Sequence, residues 1–86
     1  MRVVYSKDFL RTVALLPTRI QDKLDRLLAF LREDPFHPLL HSKRLSGKLD
    51  SYYSFRITRD WRVIFTFEPD EVIKLIRVAN RKDIYR

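Results

Sequence analysis

Ile20, Leu24, Leu27, Leu28 and Leu31 recur at i, i+4, i+7, i+8 and i+11, which sets five apolar side chains on one face of an α-helix. Arg19, Asp22, Lys23, Asp25 and Arg26 fill the other face. A stripe of this width is stable only when buried against a second apolar surface, so the rest of the chain has to supply one. Asp34-Pro35 stops the helix, because a proline pushes the residue before it out of the α region. Downstream the period changes to two. In Tyr52–Thr58, Tyr53, Phe55 and Ile57 alternate with Ser54, Arg56 and Thr58. After a tight turn at Arg59-Asp60, Trp61, Val63, Phe65 and Phe67 alternate with Arg62, Ile64 and Thr66. Glu68-Pro69-Asp70-Glu71 is a second turn, with proline where its fixed φ fits, and Val72–Val78 is a third β-rich run. Two consecutive hairpins make a meander, and its apolar face is the surface that the helical stripe needs.

Upstream, Arg2-Val3-Val4-Tyr5 is β-branched and aromatic and reads as a strand. Ser6 is placed to cap a helix, with Asp8 in the first turn favourable to its dipole. Phe9, Val13 and Leu16 follow at helical spacing, and Pro17 ends that helix and opens the next. The two helices form an antiparallel hairpin. Residues 35–51, with two prolines, both histidines and the sole glycine, Gly47, read as loop. The order is β, α, α, β, β, β, an α+β class in which both helices cover one sheet face. The other face, or its rim, is left to solvent or ligand. The 86 residues suit one domain, 1–86.

Charge narrows the partners. Lysine and arginine number 18 against 11 acids, a net +7, and twelve of the 18 are arginine, whose planar fork suits phosphate. Residues 41–86 hold eleven bases and six acids, so the excess sits in the second half, as expected for a nucleic-acid or acidic-protein partner. Without cysteine there is no disulfide, thiolate metal site or cysteine nucleophile, and a zinc site with only His37 and His41 would have to lean on carboxylates. No cofactor is expected. No apolar run approaches the roughly 20 residues that span a bilayer. Met1–Asp8 lacks a signal peptide's apolar stretch, so the expected place is the cytoplasm, away from membranes.

Four pieces in order carry a family resemblance: Val4-Tyr5-Ser6-Lys7-Asp8-Phe9; Leu16-Pro17-Thr18-Arg19-Ile20-Gln21 with Asp34-Pro35; Leu45-Ser46-Gly47-Lys48-Leu49 followed by Tyr53–Ile57 and Trp61–Phe65; and the basic tail Asn80–Arg86. The chain resembles the RelE/ParE superfamily of toxins from type II toxin–antitoxin modules, and within it the RelE-like branch. The resemblance implies a RelE-like fold, an N-terminal strand and two-helix hairpin on a mainly antiparallel sheet. It also implies a metal-free, ribosome-dependent endoribonuclease that inhibits translation, in which the ribose 2′-hydroxyl attacks the adjacent phosphate and leaves a 2′,3′-cyclic phosphate. The implied partners are mRNA, the ribosome and a cognate acidic antitoxin. ParE-type members share the fold but poison DNA gyrase. That role, and a toxin-like module that has lost catalysis and only binds antitoxin, are the alternatives.

Such a reaction needs a base for the 2′-hydroxyl, a cation for the pentavalent phosphate and an acid for the leaving oxygen. The resemblance places Arg62 against the scissile phosphate, and its strand holds that geometry well. Arg81 and Tyr85 match the family's closing arginine and tyrosine. A phenol titrates near about 10, but surrounding cations favour the phenolate, so Tyr85 is a candidate base; it also suits stacking on a splayed base, or pinning the tail with Ile84. His41, the only histidine near the implied site, is a further candidate proton carrier, ranked behind Tyr85. Lys43, Arg44 and Lys48 match a segment that supplies cations to RNA, and Arg56, of the arginine-isoleucine pair, joins them. Two positions depart from the pattern. Lys43 stands where the YoeB-like branch has a glutamate, and Asn80 where several branches have a histidine. His37 reads as structural, and Trp61 and Tyr53 as packing residues.

Overall fold

The computed structural model describes residues 1–84, so Tyr85 lies outside the described residues. Strand β1 (Arg2–Tyr5) leads into helices α1 (Lys7–Ala14) and α2 (Thr18–Glu33), then β2 (Lys43–Arg44), β3 (Tyr53–Arg56), β4 (Trp61–Glu68) and β5 (Val72–Asn80). The sheet order is β1-β5-β4-β3-β2. β1 runs parallel to β5, with Arg2 opposite Val72, and every other pairing is antiparallel. The expected α+β architecture is present.

Local chemistry explains each helix. Ser6 Oγ accepts from the Phe9 amide at 3.0 Å and donates to the Ile76 carbonyl at 2.6 Å, so one hydroxyl caps α1 and ties it to β5. Thr12 Oγ1 accepts from the Val78 amide at 3.0 Å. Since β1 pairs with β5 only as far as Leu75, these two hydroxyls satisfy backbone groups on an edge that β1 leaves uncovered. α1 stops at Ala14, short of Pro17, and Leu16 is buried beyond its end. Gln21 Nε2 donates to the Val13 and Leu16 carbonyls at 2.8 and 3.2 Å, which satisfies acceptors where the first helix runs out.

The predicted stripe is buried in full. Ile20, Leu24, Leu27, Leu28 and Leu31 pack with Phe9, Leu16, Leu40, Phe55, Ile57, Val63, Phe65, Ile73, Leu75 and Val78 in one core. Trp61 and Tyr53 pack against that core, as expected, and Tyr53 stacks on Phe65 at 5.7 Å. His37 is structural too. Its ring lies 4.5 Å from that of Phe30, and Nδ1 accepts from the Leu39 amide at 3.1 Å.

Three features differ from the expectation. Residues 35–51 are not simply loop: they hold β2 and two 3₁₀ turns, Pro38–Leu40 and Gly47–Leu49. The face turned away from the helices is not simply open, because Leu45, Ile64, Ala79 and Ile84 form a second small core there, joined by Leu49, Tyr52 and Ile76. Finally, the β4–β5 register shifts at Ile64/Phe65, where Ile64 faces Arg77 and Phe65 faces Leu75, leaving Ile76 as the extra residue of a bulge. Gly47 adopts φ +66, in the left-handed region that favours glycine, and a Cβ there would touch nothing within 4 Å.

Candidate functional site

Directly opposed residues of an antiparallel pair share a sheet face, so register fixes the site. Arg56 faces Arg62 across β3–β4, and Arg62 faces Ala79 across β4–β5. Both arginines therefore stand on the face away from the helices. Asn80 ends β5 and caps the 3₁₀ turn Arg81–Asp83 by accepting from the Lys82 amide at 3.1 Å. The Arg81 amide donates to the Asp60 carbonyl at 2.8 Å, which holds the start of the tail against the β3–β4 hairpin. The tail is further fixed by Arg77, which donates to the Ile84 carbonyl at 3.1 Å, and by burial of Ile84.

Arg62 is half-buried. Partial burial, reinforced by the positive charges of Arg56 and Arg81, lowers its pKa below the usual arginine value. Arginine still stays protonated at neutral pH. Like charges brought together cost free energy unless an anion joins them. The two ion pairs among the described residues lie elsewhere, at Arg11–Asp8 and Arg44–Asp50, so no described carboxylate neutralises the three arginines.

An open groove of about 660 Å³ adjoins these arginines, lined by Arg56, Arg81, His41, Lys23, Arg59 and Thr58 over Leu27, Leu39 and Ile57. His41 is exposed, with φ 50 at the end of the 3₁₀ turn Pro38–Leu40. The structure thus brings together four of the expected site residues: Arg56, Arg62, Arg81 and His41. Lys43 is opposite Ser54 in the register and so stands on the Arg62 face, exposed, one strand further out. Arg44 is opposite Tyr53, on the other face, and pairs with Asp50 at 2.9 Å. Lys48 is exposed in the turn Gly47–Leu49. Lys23 and Arg59 were not expected at the site. Lys23 read as solvent-facing and Arg59 as turn, and only packing of α2 against the hairpin end joins them; the one local signal is that Lys23 precedes Leu27 by one helical turn.

Two helices on one face of a mainly antiparallel sheet, with three arginines gathered on the other, make this a small α+β protein with a concentrated positive patch. Comparison with known proteins makes this specific. Residues 18–83 match the ParE-like toxin domain, and the chain belongs to that family. Comparison by sequence with curated proteins gives no significant match. Among solved structures, the fold is similar to a YoeB/ParE toxin from Agrobacterium tumefaciens, with a TM-score of 0.82 at 20% identity over 94% of this chain and 99% of that one. It is similar to YafQ from E. coli, with a TM-score of 0.80 at 21% identity over 100% of both chains. An archaeal RelE–RelB complex from Pyrococcus horikoshii gives a TM-score of 0.79 at 24% identity over 95% of this chain and 96% of that one.

Proposed function

We propose that this toxin is a ribosome-dependent endoribonuclease that cleaves mRNA and so inhibits translation. The observation that supports this best is the Arg56–Arg62–Arg81 cluster, three cations that no described carboxylate pairs with, held on adjoining strands and at the start of the tail turn. In the reaction a 2′-oxygen–phosphorus bond forms, the phosphorus–5′-oxygen bond breaks, and a 2′,3′-cyclic phosphate and a 5′-hydroxyl result. The 2′-hydroxyl proton passes to a base and the leaving oxygen gains one. Arg62, with Arg56 and Arg81 beside it, stabilises charge on the pentavalent phosphate. Tyr85 and His41 are the proposed proton carriers. Lys43 and Lys48 hold the RNA further from the reacting bond, whereas Arg44 faces the other way and is paired with Asp50. An acidic antitoxin encoded beside the toxin silences it by covering this face, a role consistent with solved complexes of the E. coli DinJ–YafQ pair and of archaeal RelE with RelB.

The test is cleavage of mRNA on purified ribosomes, quenched in excess EDTA, followed by analysis of the product ends. Cyclic or 3′-phosphate ends are expected, together with an arrest of protein synthesis before any arrest of DNA replication in expressing cells. Ends bearing a 5′-phosphate, or replication stopping first as a gyrase poison requires, would reject the proposal.

A further inference from the structure

The groove beside the arginine cluster extends past what the cleavage reaction itself requires. Its lining adds Lys23 of α2 and Arg59 of the β3–β4 turn to Arg56 and Arg81 and, among the described residues, includes no acidic side chain. Its inner surface is apolar, formed by buried Leu27 and Ile57 together with Leu39, which is 56% exposed. The groove also follows an open strand edge. β2 pairs only with Tyr53 and Ser54, so β3 is uncovered from there on. The Ile57 amide donates inward to the Trp61 carbonyl at 2.9 Å. Backbone groups of an antiparallel strand alternate in direction, so the N–H and C=O of Arg56 turn outward, towards the uncovered side.

We infer that this groove is a second RNA subsite, which takes a nucleotide flanking the scissile linkage: its phosphate between Lys23 and Arg59, its base over Leu39 and Leu27, with His41 and the outward backbone of Arg56 at the base edge. The inference rests on the ribonuclease reading. A nucleotide is the ligand that combines an anionic group with a flat apolar face and hydrogen-bonding edges, and all three find counterparts here. A volume of about 660 Å³ is in the range of small-molecule pockets, about 300–1,000 Å³, and admits a single nucleotide. Continuity supports RNA over an acidic peptide: Arg56 and Arg81 border both cluster and groove, so one strand can lie on both without a break.

The experiment measures binding of a non-cleavable 2′-O-methyl hexanucleotide by fluorescence anisotropy over a salt series, alongside cleavage on ribosomes. Lys23 and Arg59 are exposed, so the double variant Lys23→Ala/Arg59→Ala keeps the fold. Each phosphate no longer held lowers the slope of log K against log salt by about 0.7 for a single strand, so a fall of about 0.7 is expected for the one phosphate between Lys23 and Arg59. The double variant should also raise KM for mRNA while retaining kcat, and Lys23→Arg/Arg59→Lys should restore the slope. A double variant with the wild-type slope and KM, when Arg62→Ala still abolishes cleavage, overturns the subsite and leaves the ribonuclease reading standing. A poly-glutamate peptide that binds through Lys23 and Arg59 while hexanucleotide binding ignores them overturns it in favour of a protein partner. Wild-type protein that neither binds nor cleaves RNA overturns both.

Discussion

At the scale of single residues, the role proposed for Arg62 sets function against stability. Its lowered pKa means that the unfolded chain holds the proton more tightly than the folded one. Stability rises with pH wherever the unfolded state binds more protons, so the strain is present in full at neutral pH and is relieved only in the alkaline range, as the folded-state pKa is passed. Removing the charge should therefore help the fold and harm the chemistry. Arg62→Gln is expected to lower cleavage about a hundredfold or more, the size found when one group stabilising a developing anion is lost. It should leave stability unchanged or raise it slightly, on the order of 0.5 kcal/mol, because charges near solvent interact weakly. Thermal melts and ribosome cleavage on the same preparations decide this, and a folded Arg62→Gln with wild-type activity would remove Arg62 from the site. Ser54 makes a complementary case. It is fully buried between Lys43 and Ile64 in the register, and its hydroxyl has no partner among the described residues. An unmade buried hydrogen bond costs about 1–3 kcal/mol. Ser54→Ala is thus expected to raise the urea midpoint by the equivalent of about 1 kcal/mol. A lower midpoint would show that the hydroxyl is satisfied in solution, by water or by the tail.

At the scale of elements, what was legible in sequence follows from how strongly each pattern was forced. α2 shows because five apolar residues must share one face, and all five are buried. β3 and β4 show because alternation survives wherever one face is covered, and β5 shows as a β-rich run bounded by a turn. β2 does not, since two residues carry no period. The second core was missed for another reason. Alternation separates Ile64 from Val63 and Phe65 but cannot say that Leu45 and Ile84, distant in sequence, will cover it. The bulge at Ile76 was equally invisible, because Leu75 and Ile76 are adjacent apolar residues and either could face the main core. Of the proposed site, Arg56 and Arg62 were singled out through their motif and share a sheet face, whereas Lys23 and Arg59 meet only in the folded chain. Gly47 tests the part played by backbone alone. With open space around its absent Cβ, Gly47→Ala should cost only the left-handed penalty, about 1–2 kcal/mol. Gly47→Asn should cost less, because asparagine tolerates that region. Equal losses for Ala and Asn in denaturant melts would mean that packing, not φ, governs the turn.

At the scale of the whole molecule, charge is polarised along β4. Arg62 stands near its start, beside Arg56, Arg59 and Arg81 with Asp60 as the acid of the adjoining turn, while Glu68, Asp70 and Glu71 gather at its other end and outnumber the nearby Arg2 and Lys74. Six residues of strand separate Arg62 from Glu68, about 20 Å at about 3.3 Å per residue. That exceeds the screening length of about 8 Å at physiological salt, so the two ends act separately on an approaching partner. A negatively charged partner is drawn to the basic end before any contact forms, and the acidic end turns its own charge away from it. The proposed antitoxin, acidic and partly disordered when free, would wrap the domain from that end, bearing its ordering cost on binding. Displacing the tail to inactivate the toxin would be costly, since Ile84 is buried and residues 80–84 are held by the Arg81–Asp60 and Arg77–Ile84 hydrogen bonds. Covering the arginines is therefore the expected route of inhibition. Stopped-flow association over a salt series tests the steering. The on-rate should fall severalfold or more as salt rises from about 0.05 to 0.5 M, while the off-rate changes far less. Charge reversal at the acidic end, Asp70→Lys/Glu71→Lys, should leave that dependence almost intact, whereas Arg59→Glu/Arg81→Glu should flatten or invert it. An on-rate indifferent to salt, or one governed by the acidic end, would refute this account of how the toxin meets its inhibitor.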